Sequence, residues 1–379
     1  MIIQELHLQN FRSFIKTEFE FSPSITFIAG PNASGKTTIL EAISFLSTAS
    51  GFRTSKDPEM ISFESEVARV MGTIQNNPIN TNNPIIQLEE IEDKKLEIVL
   101  TRGEVMGVKT VQKKYLVNGV PKRSSDFVGN LLTVLFSPAD IELVTDSPSL
   151  RRHYLDSVLS QADREYHRNL SSYERGVRQR NKVLEAICDQ GSDHKQLVFW
   201  DQLIIKAGNY ITEKREEYID YVNKQQITDN KEQEKMPSYL LYYDRSVISE
   251  ERLFAYKNAE IASATTLVGP HRDDMVFQIT GDRVQGTVHD LKLYGSRGEQ
   301  RLGILWLKLA ELSYLEEKRE EKPVLLLDDI FSELDRPHQE MVLSIIKNQQ
   351  TVITTTDMEW LQNWIHLNHS FKSNLIKLG

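Results

Sequence analysis

One stretch limits what this chain can fold into more than any other: Gly30-Pro31-Asn32-Ala33-Ser34-Gly35-Lys36-Thr37. The spacing is G-x-x-x-x-G-K-T, the phosphate-binding loop. Its setting fits, because Ser24 to Ala29 reads as a buried strand and Thr37 to Leu46 as a helix. The glycines let backbone N–H groups wrap a phosphate, Lys36 reaches the terminal phosphates and Thr37 offers a hydroxyl to Mg²⁺. The helix that starts there turns its positive dipole end toward the anion. A glycine-rich turn that binds nothing is the bland alternative, and the complete pattern between a strand and a helix argues against it. An α/β core that binds a nucleotide follows.

The chain has 379 residues. That is too many for one ordinary core, so two domains, or one domain with a large insertion, are expected. No stretch resembles a transmembrane span, and the N-terminus lacks a basic region followed by a long apolar run. The lone cysteine, Cys188, has no internal partner and suits a reducing cytoplasm. Lys+Arg of 45 against Asp+Glu of 54 gives a net charge of -9. An acidic chain is a poor starting point for nucleic-acid binding, so any DNA contact must come from a local basic patch.

Ile2 to Leu8 and Thr17 to Phe21 alternate as strands around the turn Asn10-Phe11-Arg12-Ser13-Phe14. Arg12 could reach a nucleotide; a solvated turn arginine accounts for it equally well. Val67 to Ile74, Leu96 to Thr101 and Lys113 to Val117 read as strands, and Asn118-Gly119 as a hairpin turn. The polar stretch 76–84 between the first two reads as a loop. Together these segments predict an antiparallel sheet attached to the nucleotide core. Lys113, Lys114, Lys122 and Arg123 at its hairpin suit a solvated edge slightly better than a DNA contact.

Leu131 to Phe136 is a short apolar strand, and Asp146-Ser147-Pro148 then opens a helix. Tyr154, Val158, Ala162, Tyr166, Leu170, Tyr173 and Val177 fall on one stripe of a single long helix. At about 100° per residue, Arg164, Arg168, Arg175, Arg178 and Lys182 fall on the opposite face. Between residues 151 and 182 there are eight Lys/Arg and four Asp/Glu, a local net of +4. A solvated face and a DNA-contacting face remain open at even weight. Gly191-Ser192-Asp193 breaks the helix, and a second run from about Leu197 to Tyr221 predicts an antiparallel hairpin arm. Residues 228–237 read as a polar surface loop. No heptad repeat is long enough for an extended coiled coil.

The turn Gly269-Pro-His-Arg-Asp-Asp274 is dense in functional groups, but its spacing fits a hydrogen-bonded loop better than a metal site. Ser296-Arg297-Gly298-Glu299-Gln300 precedes a helix apolar almost all round, which a buried helix requires. Alone, Ser296 with Glu299 is a capping box. It does not stand alone. Pro323 to Asp329 is an apolar strand ending in two acids: Asp328 suits Mg²⁺, and Asp329 is placed to polarise an attacking water. Ser332-Glu-Leu-Asp335 and the strand Thr351 to Asp357 follow.

That order resembles the ABC-type ATPase heads of chromosome-maintenance and DNA-repair proteins, and within them the RecF family of bacterial recombination and gap-repair proteins. The likeness covers nearly the whole chain: Leu8 to Phe14, the phosphate loop, Ser137-Pro138, Arg151-Arg152, Arg178 to Asn181, Gly269 to Asp274, Leu325 to Asp329 and Ser332 to Asp335. It implies an ABC-type P-loop ATPase head with an antiparallel β insertion and a helical-hairpin arm. Residues 1–146 and 265–379 form the discontinuous core and 147–264 the arm. It implies a shared ATP site in a homodimer, in which Gly30 to Thr37 and Asp328 of one copy hold Mg-ATP while Ser296 and Gly298 of the other cap the γ-phosphate. The likeness casts Lys36, Ser296 and Asp329 in the catalytic roles. Arg151, Arg152, Arg164, Arg168, Arg175 and Arg178 contact single-stranded or gapped duplex DNA. RecO and RecR are implied partners in placing RecA on single strands, in the cytoplasm and without a membrane.

Three positions depart from the pattern: Asp329 stands where many ABC ATPases have Glu, Arg297 where a glycine is usual, and Thr355-Thr356-Asp357 lacks a histidine. Slow hydrolysis is the expectation. A transporter ATPase subunit, an SMC-like tether and an ATP-dependent nuclease are the competing readings. The early antiparallel insertion and the basic arm count against the first, the missing coiled coil against the second, and the lack of a further acidic cluster against the third.

Overall fold

A computed structural model describes residues 1–53, 56–75, 93–190, 193–225, 238–280, 287–332, 338–339, 342–343, 346, 348–367 and 373–379. The expected loops at 76–84 and 228–237, the break at Gly191-Ser192 and Glu333-Leu-Asp335 lie outside these residues. The chain forms two compact units, Met1–Asp140 with Leu312–Gly379, and Ile141–Glu311.

In chain order the first unit begins with β1 (Ile2–Phe11), β2 (Phe14–Glu20), β3 (Ile25–Ala29) and α1 (Lys36–Thr48). It continues with β4 (Val67–Gln75), β5 (Lys94–Thr101), β6 (Glu104–Val105), β7 (Val108–Lys109), β8 (Lys113–Val117), β9 (Val120–Lys122), α2 (Ser124–Phe127) and β10 (Thr133–Phe136). Next, in the second unit, come α3 (Glu142–Thr145), α4 (Pro148–Ala162), α5 (Arg164–Gln190), α6 (Gln196–Lys224), β11 (Tyr239–Asp244), α7 (Glu250–Ser263), β12 (Asp274–Thr280), β13 (Val288–Asp290) and α8 (Leu291–Tyr294). Helix α9 (Arg297–Arg319) follows, then β14 (Val324–Asp328), β15 (Thr351–Thr355), α10 (Met358–Leu367) and β16 (Ser373–Lys377).

The first unit holds two sheets. One is parallel, in the order β10-β14-β15-β3-β16. Its strands β14 and β15 are buried along their whole length, which is why they read as unbroken runs rather than alternation. The other is antiparallel, in the order β2-β1-β4-β5-β8-β9. Helix α1 packs against both. Its Ile39, Leu40, Ile43, Phe45 and Leu46 are fully buried among Ile3, Leu6 and Val70 of the antiparallel sheet and Val324 and Leu326 of the parallel one. Each such side chain stabilises by roughly 1.5–3 kcal/mol. The helix that carries the phosphate loop is therefore the centre of this core.

The second unit is built on the α5–α6 hairpin. Arg180 meets Asp201, Gly176 packs on Leu203 and Ile204, Gly208 approaches Tyr173, and Arg215 reaches Tyr166. Partner numbers rise on one helix as they fall on the other, so the pair is antiparallel. The single helix expected from Pro148 onward is two. Asp163, at φ −136°, ends α4, and its carboxylate accepts the N–H of Glu165 to start α5. The hydrophobic stripe runs across that break unchanged, so periodicity alone could not reveal it. This unit also extends beyond 147–264 on both sides. Strand β11 pairs antiparallel with β12, and β12 with β13, which draws the Gly269–Asp274 turn and the Ser296 segment into the same compact body.

Candidate functional site

The phosphate loop leaves β3 at Ala29 and enters α1 at Lys36. Ala33 and Gly35 both take left-handed backbone angles, φ 65° and 98°, which coils the loop. Lys36 Nζ donates to the carbonyls of Gly30 and Pro31 at 2.8 Å each, so the ammonium lies across the loop. Ser34 Oγ is buried and has no hydrogen-bond partner among the described residues. A buried hydroxyl of this kind, beside a lysine and a coiled backbone, fits an anion acceptor.

Asp328, at the tip of β14, is brought to the loop by sheet order. Thr37 Oγ1 donates to its carboxylate, with 3.0 and 2.9 Å to the two oxygens, and Thr354 Oγ1 donates to it at 2.7 Å. The register of β14 against β15 sets Asp328 beside Thr354. Asp329 turns into a left-handed conformation, φ 51°, and its N–H donates to Thr354 Oγ1 at 3.0 Å. One threonine therefore holds the Asp328 carboxylate and the Asp329 backbone. Thr37 and Asp328 form a small all-oxygen set that suits Mg²⁺, a cation usually held by one or two carboxylates plus phosphate and water. No cluster of three or more metal-ligating side chains occurs among the described residues.

Arg12, expected as a nucleotide contact, is engaged within the fold. Its fork grips Glu41 of α1 at 3.0 and 2.7 Å and also donates to the Glu59 carbonyl at 2.9 Å. Glu41 was missed in the sequence because nothing in a helical apolar run marks one acid as an arginine's partner.

In the second unit Ser296 and Glu299 close the capping box reciprocally: Ser296 N–H donates to Glu299 Oε2 at 2.7 Å, and Glu299 N–H to Ser296 Oγ at 3.2 Å. Ser296, Arg297 and Gly298 are exposed at the start of α9. Gln300, buried, donates to the Leu291 carbonyl at 3.2 Å and ties this corner to α8.

The arginines separate into two groups. Arg164, Arg168, Arg175 and Arg178 are exposed along α5, as their spacing predicts. Arg151 is a correction to the DNA-contact expectation. It is nearly buried and grips Asp274 at 2.7 and 3.0 Å, while donating to the carbonyls of Leu143 and Asp146. Arg152 is half-buried, donates to the Asp273 carbonyl at 2.8 Å, and has its pKa lowered by burial. Both arginines serve the Gly269–Asp274 turn. Asp273 there is fully buried and accepts from Arg215 at 3.0 Å, from the Ser246 N–H at 2.7 Å and from the Tyr243 hydroxyl. His271 sits between the Tyr173 hydroxyl at 2.6 Å and the Thr266 carbonyl at 3.0 Å, and burial lowers its pKa. The turn is thus a hydrogen-bonded structural hub. Among the described residues, no helix is long and apolar enough to cross a membrane.

Comparison with known proteins agrees with this geometry. The model of the RecF/RecN/SMC N-terminal domain matches residues 2–374. The DNA replication and repair protein RecF of Lachnoclostridium phytofermentans is 34% identical over 383 residues, covering 98% of both chains. That of Ligilactobacillus salivarius is 35% identical, over 94% of this chain and 91% of its own. Among solved structures, that of the recombination mediator protein RecF-ATP in the RecFOR pathway aligns with a TM-score of 0.80 at 31% identity, over 94% of this chain and 92% of that one.

Proposed function

The chain belongs to the RecF family of RecF/RecN/SMC-type ATPase heads, and from that premise we propose that it is an ATP-dependent DNA-binding switch of recombinational gap repair. The observation that carries this reading is the convergence of Lys36, Ser34, Thr37, Asp328 and Thr354 on one coiled loop. The loop amides and Lys36 bind the phosphates, and Thr37 with Asp328 holds Mg²⁺. That ion, when bound, offsets charge on the phosphate oxygens. Asp329 orients the attacking water. Its short side chain, turned by a left-handed backbone, suits slow hydrolysis.

Ser296 and Gly298 of a second copy, exposed at the N-terminus of α9, cap the outermost phosphate. Two copies then stay together while that phosphate is intact and separate once it is cleaved, because the capping contacts are made to it. The exposed α5 arginines bind DNA phosphates, with an affinity that is salt-sensitive and largely independent of sequence. Arg151 and Arg152 instead shape the arm. Work with RecO and RecR in loading RecA, in the cytoplasm, completes the reading.

Sedimentation of the purified chain with and without ATP, each with and without gapped duplex, tests it. ATP should convert monomer to dimer, and gapped DNA should strengthen the shift. Ser296→Arg should bind ATP as a monomer and fail to dimerise. A dimer that persists in Ser296→Arg sinks the shared site.

A further inference from the structure

We propose that Phe14 is a positioning residue for the nucleotide: its ring braces the phosphate loop at Gly35, and the Arg12–Glu41 pair holds that brace in place. The inference rests on the reading that residues 30–37 bind ATP. Gly35 stands at φ 98° at the junction of loop and helix. A Cβ on it would lie 2.8 Å from Phe14 Cζ and 3.1 Å from Cε2, so the phenyl ring already occupies the space against the loop backbone. The opposite end of the loop is held as closely. A Cβ on Gly30 would meet the Leu378 carbonyl oxygen at 2.5 Å, and Leu378 N–H donates to Ala29 at 2.9 Å. Gly30 is approached most closely by a backbone carbonyl, with Ser34 Oγ next at 2.8 Å, and Gly35 most closely by the Phe14 ring. A substitution at Phe14 removes the closest contact at Gly35, whereas none removes the backbone carbonyl at Gly30.

The ring is itself fixed. It meets Phe19 edge-on, with centroids 5.6 Å apart, and the corner between β1 and β2 anchors to α1 twice more. Phe11 stacks on Phe45 at 6.2 Å. Arg12, held in the left-handed region at φ 53°, forks onto Glu41, whose side chain is 0% exposed. Glu41 lies one helical turn beyond Thr37. One hairpin corner thus touches the loop–helix junction at Gly35 and the body of helix α1 at Glu41 and at Phe45.

The consequence is preorganisation. Loop amides must point at one place to bind a phosphate, and a loop that relaxes without ligand must be reordered on binding, which weakens affinity. Once bound, the loop is ordered either way. Loss of the brace should therefore move affinity and KM and leave kcat nearly alone. Arg12→Lys keeps the charge but loses the planar fork, and so should release the corner. Because Arg12 acts through Phe14, the two losses should not add.

The test is titration of the full chain with a fluorescent ATP analogue in Mg²⁺, alongside steady-state hydrolysis. Phe14→Ala should weaken binding about tenfold and raise KM to match, with kcat within about twofold. Phe14→Leu, which keeps part of the contact, should lose about threefold in affinity with kcat unchanged, and it carries the test should Phe14→Ala fail to fold, since wild-type affinity there overturns the brace. The double variant Arg12→Lys/Phe14→Ala should bind no worse than Phe14→Ala by more than about twofold. Wild-type affinity in Phe14→Ala, multiplicative losses in the double variant, or a kcat that falls with affinity each overturns the brace. Lys36→Ala separates the two levels. Binding that survives in Lys36→Ala overturns the ATP reading and the brace with it. Binding lost there but intact in Phe14→Ala overturns the brace alone.

Discussion

Arg151→Ala separates a structural arginine from a DNA-binding one. In the native chain the Arg151 side chain is 9% exposed and Asp274 21%. The fork makes two bonds to Asp274, at 2.7 and 3.0 Å, and supplies donors to the carbonyls of Leu143 and Asp146 at 3.2 and 2.9 Å. Truncation leaves Asp274 with the Met275 N–H at 2.7 Å as its nearest donor, and leaves the two carbonyls short of theirs. Removing one member of a buried pair costs about 3–5 kcal/mol. Asp274 is partly open to water, so the low end applies, about 3 kcal/mol, or roughly a hundredfold in an opening equilibrium. Hydrogen exchange followed by mass spectrometry reads it directly. Amides of α4 and β12 should exchange about a hundredfold faster in the variant, since this pair links those two elements. DNA affinity, measured where the variant is still folded, should keep its salt dependence. If exchange stays at the wild-type rate while the log–log salt slope shrinks by about one, Arg151 contacts a phosphate and the structural reading is wrong.

Replacing Arg164, Arg168, Arg175 and Arg178 together by Ala should do the reverse: stability is kept, and the salt slope of duplex binding falls by about three to four. An unchanged slope removes the α5 face from the interface. Asp329→Asn should bind ATP but hydrolyse it at least about a hundredfold more slowly, the scale of losing a positioned base, and accumulate as dimer on sedimentation with ATP. Unimpaired turnover would assign the water to another group. His271 gives a pH signature. Burial holds it neutral, with its folded pKa below the ordinary value of about 6.5. The unfolded chain therefore takes up the proton first. The stability from this site is complete above about pH 6.5 and declines as pH falls through the window below it. Urea unfolding at pH 7.5 and 5.5 should show a larger acid loss in wild type than in His271→Asn, and equal losses would discard the buried neutral histidine.

Much of the candidate nucleotide site was legible because its parts are local. A phosphate loop works through backbone angles and a helix start, and Gly30, Gly35, Lys36 and Thr37 specify those within one stretch. The apolar runs ending at Ala29 and at Asp328 were equally readable, since strands buried on both faces of a parallel sheet need unbroken hydrophobicity. The exposed arginines of α5 followed from helical period alone. The division at Asp163 did not, because the stripe keeps its phase across it.

What the amino-acid order by itself carried was the set of local parts: a phosphate-loop pattern, an apolar strand ending in two acids, a serine and a glycine at a helix start, and a basic helix face. Only the tertiary structure decided which charges remain available for ligands. Arg12, Arg151, Arg180 and Arg215 look like Arg164 or Arg178 in the sequence. Folding sets each of them against acids at distant positions, Glu41, Asp274, Glu260 and Asp273. A buried guanidinium is tolerable only when carboxylates and carbonyls meet it, and the pairing is fixed by how strands and helices stack rather than by spacing along the chain. The same holds for Phe14 and Gly35, some twenty residues apart and brought into contact by a hairpin corner that no local pattern places against the loop.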